Sequence, residues 1–159
     1  MRRVVLVTGG AGGIGRAVGD RFAAEGDTVV LADRSADGLA AVEGGVDTIV
    51  SDVSVVADCE RMVLETVEKH DRLDVLVNCA GVWVEGPTAQ MTEEQWDRTV
   101  DVNLKGTFFA CRFAIPHLER TEGCIVNLSS DAGLVGTVMY ASLTRWSKPN
   151  EQRAQCCAS

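Results

Sequence analysis

The stretch VLVTGGAGGIGRAV, residues 5–18, sets Gly9, Gly13 and Gly15 between a short apolar run and an amphipathic segment. That order reads as strand, tight turn and helix. Glycine permits the turn and lets the backbone approach a bound group closely. The start of the helix offers unpaired N–H groups and a partial positive charge to an anion. Ile14, Val18 and Phe22 recur at helical spacing on one face, and DTVVLAD supplies a second apolar run, so the first thirty-odd residues read as strand, helix, strand.

The alternation continues. VDTIVSDV reads as a third strand, and Val55, Val56, Cys59, Met62, Val63 and Val67 keep a helical period up to His70 before RLDVLVNCAG gives a fourth strand. Thr92 stands three residues before Gln95, a capping-box pattern that opens a helix after a loop over 81–91. A further helix over about 103–118 carries Val102, Leu104, Phe108, Phe109, Cys111, Phe113, Ala114 and Ile115 around much of its circumference and is expected to be buried on more than one side. GCIVNLSS is a fifth strand. Strands alternating with helices predict an α/β fold, a Rossmann-like parallel sheet with helices on both faces.

A chain of 159 residues, 46% hydrophobic and 24% charged, suits one domain with a sizeable core. The formal net charge of −8, with no basic run beyond Arg2 and Arg3, argues against nucleic acid or an anionic membrane surface as a partner. The apolar run 4–7 is too short for a signal peptide and leads into glycines, so a cytoplasmic protein is expected. Of six cysteines, Cys59, Cys79, Cys111 and Cys124 sit singly in apolar segments and read as small packing residues. None forms a metal-ligand pair, and His70 and His117 read as structural or solvated, so no metal site is expected.

Asp33 closes the second strand eighteen positions after Gly15. Its carboxylate could accept hydrogen bonds from the adenosine ribose of NAD while repelling the extra phosphate of NADP, although Arg34 follows directly and could meet a phosphate. NAD is therefore expected in preference to NADP. No GxxxxGK segment is present for an ATP-cradling lysine.

TGGAGGIG at 8–15, Asp33, SDV at 51–53, NCAG at 78–81, VNLKG at 102–106 and IVNLSS at 125–130 together resemble the short-chain dehydrogenase/reductase family, over the chain up to about Gly136. The resemblance implies a sheet order of 3-2-1-4-5 and an NAD(P)-dependent oxidoreductase moving hydride between nicotinamide and an alcohol or ketone. It implies cofactor contacts at Gly9, Gly13, Ile14, Gly15 and Asp33, with Asp52 and Val53 against the adenine ring. Asn78, Ala80 and Gly81 would line or stabilise the central pocket. Cys79 stands where the family often has asparagine.

For the chemistry, the resemblance assigns Ser130 to holding the substrate oxygen and Asn103 to supporting a water and the active-site lysine; read from local structure alone, Asn103 caps a helix and Ser130 begins a turn. The family's general acid/base tyrosine is followed four residues later by a lysine, one helical turn away. Tyr140 is the single tyrosine in the chain, but position 144 is threonine, and Lys148 lies eight residues on, about 12 Å along a continuous helix, with Pro149 behind it. Tyr140 also follows Ser130 more closely than the family pattern has it.

Nineteen residues follow Tyr140, and from Thr144 they are polar and aperiodic. The expectation is a truncated NAD-binding domain over 1–143 and an atypical tail over 144–159, the C-terminal part of the family fold being missing through truncation, fragmentation or a shifted reading frame. That loss would expose the edge of the fifth strand and unsettle the homodimer or homotetramer implied by the family. Two functions stay open: an oxidoreductase acting on a small alcohol or ketone, and a catalytically inactive nucleotide-binding fragment that acts only through binding.

Overall fold

The computed structural model describes residues 2–130. Five strands, β1 (Val4–Thr8), β2 (Thr28–Asp33), β3 (Asp47–Val50), β4 (Val75–Asn78) and β5 (Cys124–Asn127), form one sheet in the order β3-β2-β1-β4-β5. Every pairing is parallel. The fold class and strand order are those expected from the sequence.

A parallel sheet buries both faces, which is why its central strands read as continuous apolar runs. In β1 every residue is buried, and side chains alternate between faces. Leu6, Val30 and Leu76 join Cys59, Met62 and Val63 of α3 (Val56–His70) and Ala110, Ala114 and Leu118 of α5 (Thr107–Thr121). Val5, Val7, Val29, Leu31 and Val77 face the other way, against Val18 and Phe22 of α1 (Gly13–Ala24) and Leu39 of α2 (Ala36–Ala40). At the N-terminal edge of the sheet, Asp74 Oδ2 accepts the Val4 N–H at 2.7 Å, and its carboxylate also takes two bonds from Arg72. Burial opposes ionisation there, but the Arg72 and Val4 donors outweigh it and hold the Asp74 carboxyl below its ordinary range.

α4 (Glu93–Val100) starts at the expected capping box, with Thr92 and Gln95 each bonding the other's backbone N–H. Its end runs into a π-helical turn, Asp101–Gly106, and then α5.

Several expectations need correction. α5 is buried along a single stripe rather than on several sides: Ala110, Ala114 and Leu118 are inside, whereas Phe108 is 61% exposed and Ile115 43%. Arg112 lies 5.6 Å from the Phe109 ring centre and 5.4 Å from that of Phe113, so part of this apolar surface is covered by a cation rather than by core. Ile14 does not share the packed face of Val18 and Phe22; it is 64% exposed at the first turn of α1. Cys124 is exposed at the start of β5, where the other described cysteines are buried or half-buried. α2 was not apparent in the sequence, since its five residues hold one buried side chain, Leu39. Among the described residues, no helix is long and apolar enough to cross a membrane.

Candidate active site

Parallel strands bring their C-terminal ends to one edge of the sheet, and the loops leaving β1, β2, β3 and β4 meet there around a cleft. An open space of about 430 Å³ is bounded by Gly9 after β1, Asp33 and Arg34 at the end of β2, Ser51, Asp52 and Val53 after β3, Ala80, Gly81 and Val82 after β4, and Val102 of the π-helical turn.

The glycine loop is built by contact as much as by conformation. Gly9 has φ +69°, and a Cβ there would lie 2.8 Å from the Ala80 nitrogen. A Cβ on Gly15 would overlap the Gly9 carbonyl, so the first turn of α1 closes directly on the loop. Around Gly13 a Cβ would meet nothing within 4 Å. Gly13, Ile14 and Gly15 are the first residues of α1, whose N–H groups have no intrahelical acceptor. Open space over unpaired donors at a helix start fits a pyrophosphate.

Asp33 ties this loop to β2. One carboxylate oxygen accepts the Ala11 N–H at 3.1 Å and the other the Ser35 N–H at 2.9 Å. A carboxylate has about four acceptor positions, so two remain for a ribose diol. Asp52 is likewise anchored: its Oδ1 accepts from the Ser54 N–H and hydroxyl, and its own N–H donates to Asp58. That N–H, followed by Arg61, holds the Asp58 carboxyl below its ordinary range.

At the far side of the cleft, the Thr8 hydroxyl accepts the Ala80 N–H at 3.1 Å. Asn103 lies in the π-helical turn, a backbone form often found at functional sites. Its Oδ1 accepts the Val82 N–H at 2.8 Å and its Nδ2 donates to the Val82 carbonyl at 2.9 Å. It therefore does not cap a helix: the residue before α5 is Gly106, and Asn103 instead clamps the loop after β4. Asn78 lies behind the cleft, buried, with its Nδ2 donating to Asn127 Oδ1 at 2.8 Å and to Cys111 Sγ at 3.3 Å. This pins the C-terminal end of β4 to that of β5.

The sequence-identified residues thus divide. Gly9, Asp33, Asp52, Val53, Ala80 and Gly81 line the cleft; Gly13, Ile14 and Gly15 start α1 at the glycine loop; Asn78 and Asn103 hold the walls. Ser130 is half-buried three residues beyond β5, rather than within the strand. Tyr140, Thr144 and Lys148 lie outside the described residues. Sequence reasoning overlooked Thr8, Val82 and Val102. Thr8 opens the glycine motif itself, but its bond to Ala80 spans 72 residues and leaves no local signal.

Burial disfavours the thiolate form of the cysteines near the site. Burial, with the nearby Asp58 and Asp52 charges, pushes Cys59 up to about 11, and burial also raises Cys79 and Cys111.

Comparison with known proteins agrees with this geometry. Residues 3–143 match the short chain dehydrogenase family. The chain is 42% identical over 139 residues to meso-2,3-butanediol dehydrogenase of Serratia marcescens, covering 84% of this chain and 55% of that protein. It is 38% identical over 142 residues to a 3-oxoacyl-[acyl-carrier-protein] reductase of Thermotoga maritima, covering 84% and 58%. The ligand-free aldohexose dehydrogenase of Thermoplasma acidophilum superposes with a TM-score of 0.85 at 33% identity, covering 92% of this chain and 56% of that one. The chain spans little more than half the length of these relatives. Its parallel sheet, its glycine loop at the head of α1 and its match over residues 3–143 place the chain in the short-chain dehydrogenase family.

Proposed function

We propose that this chain carries the nucleotide-binding half of an NAD(P)-dependent oxidoreductase, with NAD preferred, acting between a small alcohol and its ketone. The observation that carries the reading is the convergence of the α1 start, Asp33, Asp52–Val53 and Ala80–Val82 on one cleft.

The pyrophosphate would rest on the N–H groups of Gly13, Ile14 and Gly15. Asp33 would take the ribose hydroxyls with its remaining acceptor positions, and its negative charge would oppose a 2′-phosphate. Arg34, exposed at the same rim, is the group that would have to balance such a phosphate. The bound nicotinamide supplies or accepts the hydride. Ser130 would hold the substrate oxygen, Tyr140 would exchange its proton, and Asn103 would keep the β4 loop in place beneath the reacting groups. The relatives named above act on a butanediol, a 3-oxoacyl-[acyl-carrier-protein] and an aldohexose by their names, which supports an alcohol or ketone as the substrate class.

Thr144, four residues after Tyr140 in the sequence, favours a second reading, a nucleotide-binding chain without turnover, because threonine brings no cation to lower the tyrosine pKa. The deciding experiment follows reduced-nicotinamide absorbance with purified protein and a panel of secondary alcohols and ketones, beside calorimetric titration with NAD. Turnover lost in Tyr140→Phe supports the oxidoreductase. NAD binding without turnover supports the binding-only reading, and neither binding nor turnover removes both.

A further inference from the structure

The wall of the cleft formed by Val53 is held from behind by two residues that do not line it. Gly106, the last residue of the π-helical turn, is buried, with φ −59°, a conformation any residue adopts. Its lack of a side chain therefore answers to space and not to backbone geometry. A Cβ there would sit 2.8 Å from the Val53 carbonyl oxygen and 3.0 Å from both Val53 Cβ and Cγ2. The nearest of these atoms is backbone, so a methyl group could be admitted only by shifting the Val53 peptide relative to the turn. The same carbonyl accepts the thiol of fully buried Cys59 at 3.2 Å, while the Cys59 sulfur lies 3.9 Å from the Gly106 carbonyl.

These contacts join the two sides of the cleft. At one end of the π-helical turn Gly106 packs against Val53; three residues earlier Asn103 clamps Val82; and Val102, directly before Asn103, lines the cleft itself. A single short element thus fixes the spacing between the loop after β3 and the loop after β4.

We propose that Gly106 and Cys59 are positioning residues for the nucleotide, setting where the Asp52–Val53 wall meets the adenine ring. This rests on the reading of the cleft as a dinucleotide site. In that site an alanine at 106 would displace the wall although alanine is by itself the better helix former. Loss of binding in a folded Gly106→Ala, with Cys59→Ser restoring what Cys59→Ala loses, is a combination that general destabilisation does not give.

The test is calorimetric titration of the intact chain with NAD and with AMP, for wild type, Gly106→Ala, Cys59→Ala and Cys59→Ser. The expected result for Gly106→Ala is an AMP dissociation constant raised about tenfold at unchanged stoichiometry, equivalent to about 1.4 kcal/mol. Cys59→Ala should weaken AMP by about threefold, and Cys59→Ser, which keeps a donor for the Val53 carbonyl, should restore it. Circular dichroism establishes that each variant is folded; should Gly106→Ala fail to fold, the Cys59 pair decides. Wild type that binds NAD and AMP, with AMP affinity unchanged in the folded variants, overturns the positioning role and leaves the dinucleotide reading standing. Wild type that binds neither nucleotide overturns that reading, and the positioning role with it.

Discussion

The Asp33 carboxylate accepts the Ala11 N–H at 3.1 Å, so the residue read as the ribose acceptor also holds the glycine loop to the end of β2. Changing it alters the loop before any ligand arrives. Asp33→Ala should lower stability by about 1–2 kcal/mol, because two backbone donors lose a charged acceptor at a half-buried site. It should also weaken NAD binding by about tenfold or more. Asp33→Ser removes the charge while keeping one acceptor and leaves Arg34 at the rim, so the ratio of NADP to NAD affinity should rise by about tenfold. Urea unfolding and paired titrations with both nucleotides check these outcomes; a ratio that stays fixed in Asp33→Ser would sink the charge-based selectivity.

Asn103 makes a two-point bond to the Val82 backbone, and the two points have opposite polarity. Asn103→Asp keeps the acceptor for the Val82 N–H but sets a carboxylate oxygen against the Val82 carbonyl. Asn103→Ala removes both partners. Alanine is expected to lose about 1–3 kcal/mol, and aspartate to be destabilising at neutral pH but partly relieved when protonated in acid. Thermal unfolding of both variants across pH would show the aspartate variant gaining on alanine as pH falls; parallel behaviour of the two would remove the clamp as the reason for asparagine.

The sheet was legible in the sequence because Val4–Val7, Val29–Ala32 and Val75–Val77 are buried on both faces, and burial on both faces writes an uninterrupted apolar run. The capping box at Thr92 was legible because both of its bonds close within three residues. What the sequence concealed lies in contacts between distant segments. Asn103 shows its residue type but not its partner, since Val82 is 21 residues away and is met through backbone atoms that carry no sequence signature. Ile14 fits the apolar period of α1, yet the period sees only angular position: Val18 and Phe22 pack half-buried against the sheet, whereas Ile14 at the first turn is exposed. The apolar girth of α5 misled for a related reason: counting Phe108 and Ile115 as core ignored that one stripe of small residues, Ala110 and Ala114, makes the close approach to the sheet.

Stability should fall on acidification through three carboxylates held below their ordinary range. The Arg3 side chain lowers Asp27, the Asp52 N–H and Arg61 lower Asp58, and Arg72 with the Val4 N–H lowers Asp74 against the opposing effect of burial. Because each folded pKa lies below its unfolded value, the stabilisation is complete above the unfolded carboxylate pKa of about 4 and disappears as pH falls through the folded values. Urea midpoints should be flat from neutral pH to about 5 and then drop. Asp74→Asn should start lower and drop less steeply; a variant with the same acid slope as wild type would show that Asp74 does not contribute to it.

Gly9 and Gly13 belong to one motif, and the structure separates what each is for. Gly9 has positive φ, and its Cβ would lie 2.8 Å from the Ala80 nitrogen, so Gly9→Ala combines left-handed strain of about 1–2 kcal/mol with a backbone clash. It should destabilise the chain by more than about 2 kcal/mol and lose nucleotide binding through the fold. Gly13 has no positive φ, and a Cβ there meets nothing within 4 Å, so Gly13→Ala should leave stability unchanged or raise it by up to about 1 kcal/mol at the head of α1. The same methyl group would occupy the open space through which a pyrophosphate reaches the N–H groups of that helix, and NAD affinity should fall by about tenfold or more. Measuring unfolding and NAD titration on both variants therefore separates ligand space from structural space. If Gly13→Ala binds NAD as wild type does, the phosphates do not lie over the start of α1, and the dinucleotide would have to enter the cleft by another path.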